Sequence, residues 1–203
     1  MTLAKRLNHP HPPARPSETP DFSRIRIPPA GTLDVPPVDL TAENSRPYAE
    51  GMVRILDADG RAVGPWVALL EDLSADELRR GLRDMLRMRA IDKRLLNAQR
   101  QGKTSFYLQC AGEEAIGCAF QRQLRPGDMN FPTYRQQSLL VAAEYPIESL
   151  MGQIYGNRLD PIGGRQLPTM HSARDYGYFS ISGNLGTQFV QAVGWAMACA
   201  LQN

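Results

Sequence analysis

The chain has 203 residues, 42% hydrophobic and 22% charged, with a net charge of +2 at pH 7. That length suits one domain plus an extension. The near-neutral balance removes any global electrostatic case for nucleic acid. No apolar run reaches the length of a membrane span, and the N-terminus MTLAKRLNHPHPPARP lacks the apolar centre of a secretory signal. Cys110, Cys118 and Cys199 form no Cys-x-x-Cys pair and leave one odd, which fits reduced thiols in a cytoplasmic protein.

Residues 1–20 carry five of the sixteen prolines, with His9 and His11 among them. Such a composition builds neither helix nor core, so an extended arm is expected. Two histidines in such an arm read as solvated rather than as a metal site. Proline punctuation continues to residue 73, broken by one hairpin pattern: Met52–Leu56, the turn Asp57-Ala58-Asp59-Gly60, then Arg61–Val63. Residues 1–73 are therefore read as an extended N-terminal arm with a small hairpin, able to wrap a partner surface.

The folded domain is expected to begin at Ser74. Ser74-Ala75-Asp76-Glu77 is a capping box, and apolar residues at 78, 82, 85, 88, 91 and 95 predict a helix ending near Gly102. Between 79 and 103 nine basic residues face only Asp84 and Asp92. That face has two readings, a solvated helix surface or a dock for an acidic partner or nucleic acid. Without aromatic side chains it lacks the stacking platforms of single-strand binders.

Thr104–Leu108 reads as a strand. A helix follows from Gly112-Glu113-Glu114, with Ile116, Ala119 and Phe120 on its apolar side. Met129–Pro132 is a strand end, and Thr133-Tyr134-Arg135 leads directly into a helix over 136–143. An arginine there can grip a phosphate with its fork of donors, and Tyr134 adds a hydroxyl; a structural ion pair and a packed ring are the alternative. Pro146-Ile147 opens another helix to about Tyr155. The loop 156–178 is long and glycine-rich, hence functional or mobile, and it holds His171. Phe179–Ser182 reads as a strand, Gly183-Asn184-Leu185-Gly186 as a loop, and Thr187 as the start of a last helix with small residues along it. Strand, glycine loop and helix start together suit an anion or a polar ring, although Gly-x-x-Gly lacks the dinucleotide fingerprint. The small face of that helix allows close approach of another element and predicts burial, with a subunit interface as one place for it, and its run to Asn203 predicts a longer protein.

Taken in order, Phe106-Tyr107, Gly112-Glu113-Glu114-Ala115, Thr133-Tyr134-Arg135, Gly163–His171 and Ser182–Gln188 resemble the alpha subunit of the thiamine-diphosphate-dependent decarboxylating component of 2-oxo acid dehydrogenase complexes. The match covers about residues 74–203. The proline-rich extension and the Gly-Arg-Gln loop look more like the bacterial branched-chain enzyme than the pyruvate one. The resemblance implies an α/β thiamine-diphosphate-binding fold, a parallel sheet flanked by helices, incomplete at its C-terminus. It implies that Tyr134 and Arg135 hold the diphosphate and that the backbone of Gly183 and Leu185 holds the aminopyrimidine. Phe106, Tyr134 and Leu185 would line the substrate pocket, and His171 would lie near the active site as a catalytic candidate. Ser182, Asn184, Thr187 and Gln188 correspond to a loop that holds a monovalent cation in related enzymes, with Gly183 and Asn184 departing from the usual Ser-Pro. The family's magnesium motif, Gly-Asp-Gly followed further on by Asn, is absent, so Mg2+ ligands are expected beyond Asn203 and the isolated stretch is expected to be inactive. The implied partners are a beta subunit in a heterotetramer of two alpha and two beta chains, the lipoyl domain and core of a dihydrolipoyl acyltransferase, and a 2-oxo acid, with no membrane or nucleic acid. A pyruvate-type subunit is the near alternative. A non-catalytic module binding a partner or nucleic acid through the basic helix is the distant one.

Overall fold

The computed structural model describes residues 27–202, so the expectations for the proline-rich segment 1–20, His9 and His11 fall outside the described residues. The chain divides into two compact units at the junction of Leu73 and Ser74.

In the first unit, Asp57 organises the hairpin turn. Its Oδ1 accepts the Asp59 and Arg61 amides at 2.9 and 2.8 Å, and Val63 N–H reaches Ile55 O at 2.8 Å. Helix α1 (Arg46–Glu50) and a 3-10 turn at Val67–Leu70 complete the regular structure. Trp66 Nε1 donates to Leu33 O at 2.6 Å. Gly31 and Gly64, both at positive φ, touch so closely that a Cβ on Gly64 would lie 2.3 Å from the Gly31 Cα. No described residue of this unit is buried. Hydrogen bonds and backbone contact, rather than a core, hold it.

The second unit packs α2 (Ala75–Arg100), α3 (Glu114–Gln123), α4 (Gln137–Ala142) and α5 (Ile147–Tyr155), followed by α6 (Thr187–Gln202). The capping box at α2 is present in full: Glu77 N–H reaches Ser74 Oγ at 3.2 Å and Ser74 N–H reaches Glu77 Oε2 at 2.8 Å. The core gathers Met88, Ile91 and Leu95 of α2, Leu139–Val141 of α4, Leu150 and Ile154 of α5, and Tyr107, Tyr178 and Ile181 from connecting segments.

Four expectations are corrected. The parallel sheet is not seen: among the described residues the runs at 104–108, 129–132 and 179–182 form no strand, only isolated bridges such as Asn130 with Tyr178, parallel. Asn130 N–H gives to Gly177 O at 2.7 Å and Phe179 N–H to Asn130 O at 2.9 Å, but Pro132 has no N–H to extend the ladder. Along 108–110, side chains of Gln137, Arg135 and Asp92 bond the backbone where a neighbouring strand would. Next, Leu78 and Leu82 of the α2 stripe are exposed. The buried row is Asp84, Met88, Ile91, Leu95 and Ala98, at steps of four, three, four and three, which is the true helical stripe. On α3 the buried side is Glu114, Gly117 and Cys118, while Ile116 and Phe120 face outward. Finally, α6 has no buried residue. Trp195 alone ties it by aromatic contact, edge-on to Phe131 and Phe179 at 6.3 and 6.2 Å.

Helix α5 passes the following turn at backbone distance. A Cβ on Gly152 would lie 2.5 Å from Leu159 C and 2.8 Å from Asp160 N. Neither atom can yield as a side chain could. Gly152→Ala should therefore lower stability by roughly 1–3 kcal/mol or more, read as a fall in the urea midpoint; an unchanged midpoint would contradict this packing.

Candidate functional site

The segment 106–110 and the turn before α4 are laced together. Asp92, with no exposure, accepts Tyr107 Oη at 2.6 Å on Oδ1 and Cys110 N–H at 3.0 Å on Oδ2. Burial pushes the Asp92 carboxyl above its usual range, and the bonds from Tyr107 and Cys110 pull it back. Burial also pushes the Tyr107 hydroxyl and Cys110 thiol up, so both stay protonated at neutral pH. On the other side, Arg135 Nη1 donates to Gln109 O at 3.3 Å. Gln137 Nε2 donates to Leu108 O at 3.1 Å and to Tyr134 O at 2.8 Å. Phe106 and Tyr134 are half-buried, Tyr134 against the core, and Arg135 is exposed. Arg135 makes no ion pair among the described residues, so the structural alternative of a carboxylate partner is not what the structure contains.

His171 lies inside the core, 1% exposed. Gln153 Nε2 donates to Met170 O at 2.6 Å, which leaves Oε1 to accept from His171 Nδ1 at 3.0 Å. The hydrogen therefore sits on Nδ1, and the buried Nε2 has no partner. Burial pulls the imidazole down to about 4, with Asp160 opposing weakly. Its backbone carbonyl accepts Ile181 N–H at 3.1 Å, which ties it to the segment entering the glycine turn.

The turn is closed by its own side chains. Ser182 Oγ hydrogen-bonds Thr187 Oγ1 at 2.9 Å and accepts Asn184 N–H at 3.4 Å. Gln188 Nε2 donates to Ser182 O at 3.2 Å, its Oε1 accepts Gly186 N–H at 3.0 Å, and Thr187 Oγ1 also donates to Asn184 O. The four residues expected at a monovalent cation are thus brought together, with Ser182 O and Oγ, Asn184 O, Thr187 Oγ1 and Gln188 Oε1 each bonded within the turn. Gly186 sits at φ +93, as the turn requires. Gly183 and Leu185 are exposed, Leu185 by 72%.

Two groups result. Phe106, Tyr134 and Arg135 form one; His171 and Ser182–Gln188 form the other. Among the described residues no hydrogen bond joins Arg135 to Leu185. Both groups border the same core, Tyr134 directly and Gly183 through Met170, whose Cε lies 3.4 Å from a Cβ built on that glycine. A separate apolar cleft of about 390 Å³ lies elsewhere, between Ile116 and Phe120 of α3 and Phe131, Pro132 and Leu139. No three His, Cys, Asp or Glu among the described residues are grouped to hold a metal. Sequence reasoning missed Asp92, Gln137 and Gln153. Asp92 had a signal, a carboxylate in register with Met88 and Leu95 on the buried stripe; the two glutamines had none.

Residues 82–203 match the family model described as the dehydrogenase E1 component, and residues 4–43 match that of the 2-oxoisovalerate dehydrogenase E1 alpha subunit N terminal. The chain belongs to the dehydrogenase E1 component family, which implies a thiamine-diphosphate-binding fold. Among individual proteins it is similar to the 2-oxoisovalerate dehydrogenase subunit alpha of Pseudomonas aeruginosa, 52% identical over 197 residues, covering 97% of this chain and 47% of that protein. The mitochondrial subunit alpha of Mus musculus is 35% identical over 152 residues, covering 74% and 34%. Subunit alpha 1 of Arabidopsis thaliana is 36% identical over 143 residues, covering 70% and 29%. The chain thus spans less than half the length of these relatives.

The buried imidazole predicts an acid-sensitive fold. Its folded pKa, about 4, lies below the ordinary 6.5, so the unfolded chain takes up the proton first. The stability it contributes is fully present above pH 6.5 and is lost as pH falls toward 4, by up to about 3 kcal/mol. His171→Gln should flatten the stability curve across that window in urea titrations; an unchanged slope would mean that His171 is charged or open to water.

Proposed function

We propose that this chain is the N-terminal part of the alpha subunit of a thiamine-diphosphate-dependent 2-oxo acid dehydrogenase. In this reading the enzyme decarboxylates branched-chain 2-oxo acids such as 2-oxoisovalerate and transfers the acyl group to a lipoyl group. The observation that carries it is the 52% identity over 97% of the chain, arm included, together with the N-terminal model at 4–43.

The residues fit the cofactor. Arg135 offers an exposed guanidinium with no carboxylate partner among the described residues, suited to a diphosphate. The exposed Leu185 side chain offers an apolar surface at the tip of a turn whose own bonds fix its shape. When bound, thiamine diphosphate would supply a nucleophilic thiazolium carbon and an electron sink for decarboxylation. Arg135 and Tyr134 would hold the diphosphate, the backbone of Gly183 and Leu185 would orient the aminopyrimidine, and the Leu185 side chain would support the cofactor. Phe106, Tyr134 and Leu185 line the substrate pocket. The backbone carbonyl of His171 anchors Ile181 at the entry to the glycine turn, and its neutral imidazole is enclosed in the core against Gln153. For the Mg2+ of this reading, no three His, Cys, Asp or Glu are grouped among the described residues. Arg135, Gly183 and Leu185 are each exposed, which supports a beta subunit closing the site in an assembly of two alpha and two beta chains. An acyltransferase bearing the lipoyl domain would receive the product, in a cytoplasmic complex. No described helix is long and apolar enough to cross a membrane.

The nucleic-acid reading of α2 has less support. Arg79 pairs with Asp76, Arg83 with Asp84 and Glu144, Arg87 with Asp84, and Arg89 with Glu114. Four of the cations are committed within the unit.

In the full-length alpha chain assembled with its beta subunit, Arg135→Ala should weaken thiamine diphosphate binding about ten- to a hundredfold, the range for losing a hydrogen bond to a charged group. Fluorescence titration measures it, and unchanged affinity would remove Arg135 from the site. Steady-state kinetics should give 2-oxoisovalerate a higher kcat/KM than pyruvate; the reverse order would move the assignment to the pyruvate-type subunit.

A further inference from the structure

We infer that Gln137 is a positioning residue that sets the diphosphate-binding arginine against the substrate-pocket segment. The inference rests on the proposed reading of Arg135 and extends it to a side chain that faces neither ligand.

Gln137 is 1% exposed and opens α4. An amide nitrogen carries two hydrogens, and here each has a carbonyl to meet, Leu108 O at 3.1 Å and Tyr134 O at 2.8 Å. The first carbonyl lies two residues after Phe106. The second belongs to Tyr134 itself, next to Arg135. Arg135 closes the same ring by donating to Gln109 O at 3.3 Å. The far side of the ring is pinned by Asp92, through Cys110 N–H and Tyr107 Oη. With the 108–110 backbone held on both sides, the guanidinium has a fixed carbonyl to rest on.

The amide is placed for its donors. Its Oε1 is buried and without a partner, which costs stability. An apolar side chain of the same length would escape that cost. Leu108 and Tyr134 are only half-buried, so water can replace the amide at their carbonyls. Gln137→Met should therefore leave thermal stability close to that of the parent protein while freeing the Tyr134–Arg135 turn from the 106–110 segment.

The test is a double-mutant cycle on the full-length alpha chain assembled with beta subunit, read by thiamine diphosphate titration rather than turnover. Gln137→Met is expected to weaken cofactor binding about tenfold, the scale of losing one or two neutral hydrogen bonds. The same change in an Arg135→Ala background is expected to have little further effect, because the group it positions is gone. Gln137→Asn, one methylene too short to serve both carbonyls, should behave like Gln137→Met and provides a second variant should the first assemble poorly. Equal losses in both backgrounds, no loss in either, or failure of both variants to assemble would overturn the positioning role. If Arg135→Ala alone leaves binding unchanged, the reading of the site fails instead, a result distinct from failure of Gln137.

Discussion

A carboxylate withdrawn from water holds the second unit to its purpose. Asp92 sits on the core stripe of α2 with no exposure, where a charge is costly unless its oxygens are satisfied. Tyr107 Oη and Cys110 N–H satisfy them. The chain after α2 is thereby bound back onto the helix, and the carbonyls of Leu108 and Gln109 are turned toward Gln137 and Arg135. The candidate phosphate-binding turn is positioned by what this one buried group attracts.

The basic helix has a similar explanation. Its excess of cations invites a polyanion, but its acids are spent inside. Asp84, almost fully buried, collects Arg122 at 3.1 Å, Arg83 at 3.4 Å and Arg87 at 3.8 Å. Glu114, likewise buried, takes Arg89 and the Gly112 amide, and the arginine holds its carboxyl below the usual range. These networks join α2 to α3. Each buried acid needs partners, and the cations nearest it supply them.

The apolar surface is distributed unevenly. Phe189, Val190, Val193, Met197 and Leu201 lie 60–87% exposed along α6, and Ile116 and Phe120 on α3 are exposed too. A contiguous apolar face of this size is unusual on a free surface. It accords with a candidate site whose residues Arg135, Gly183 and Leu185 are themselves exposed.

Local chemistry was legible in the residues themselves. The Ser74 capping box, the Asp57–Gly60 turn, the five longer helices and the order of motifs that carries the family resemblance all depend on neighbours within a few positions. Which face of a helix is buried was not. Asp84 and Asp92 replaced Leu78 and Leu82 on the core side of α2 because burial is decided by partners distant in the chain: Arg122 for one, Tyr107 and Cys110 for the other. The strand-like runs met the same limit, since a strand exists only where another backbone pairs with it, and here side chains and Pro132 intervened. Gln137 and Gln153 carry no local mark at all. Their amides acquire a role only when folding brings Leu108, Tyr134, Met170 and His171 within reach.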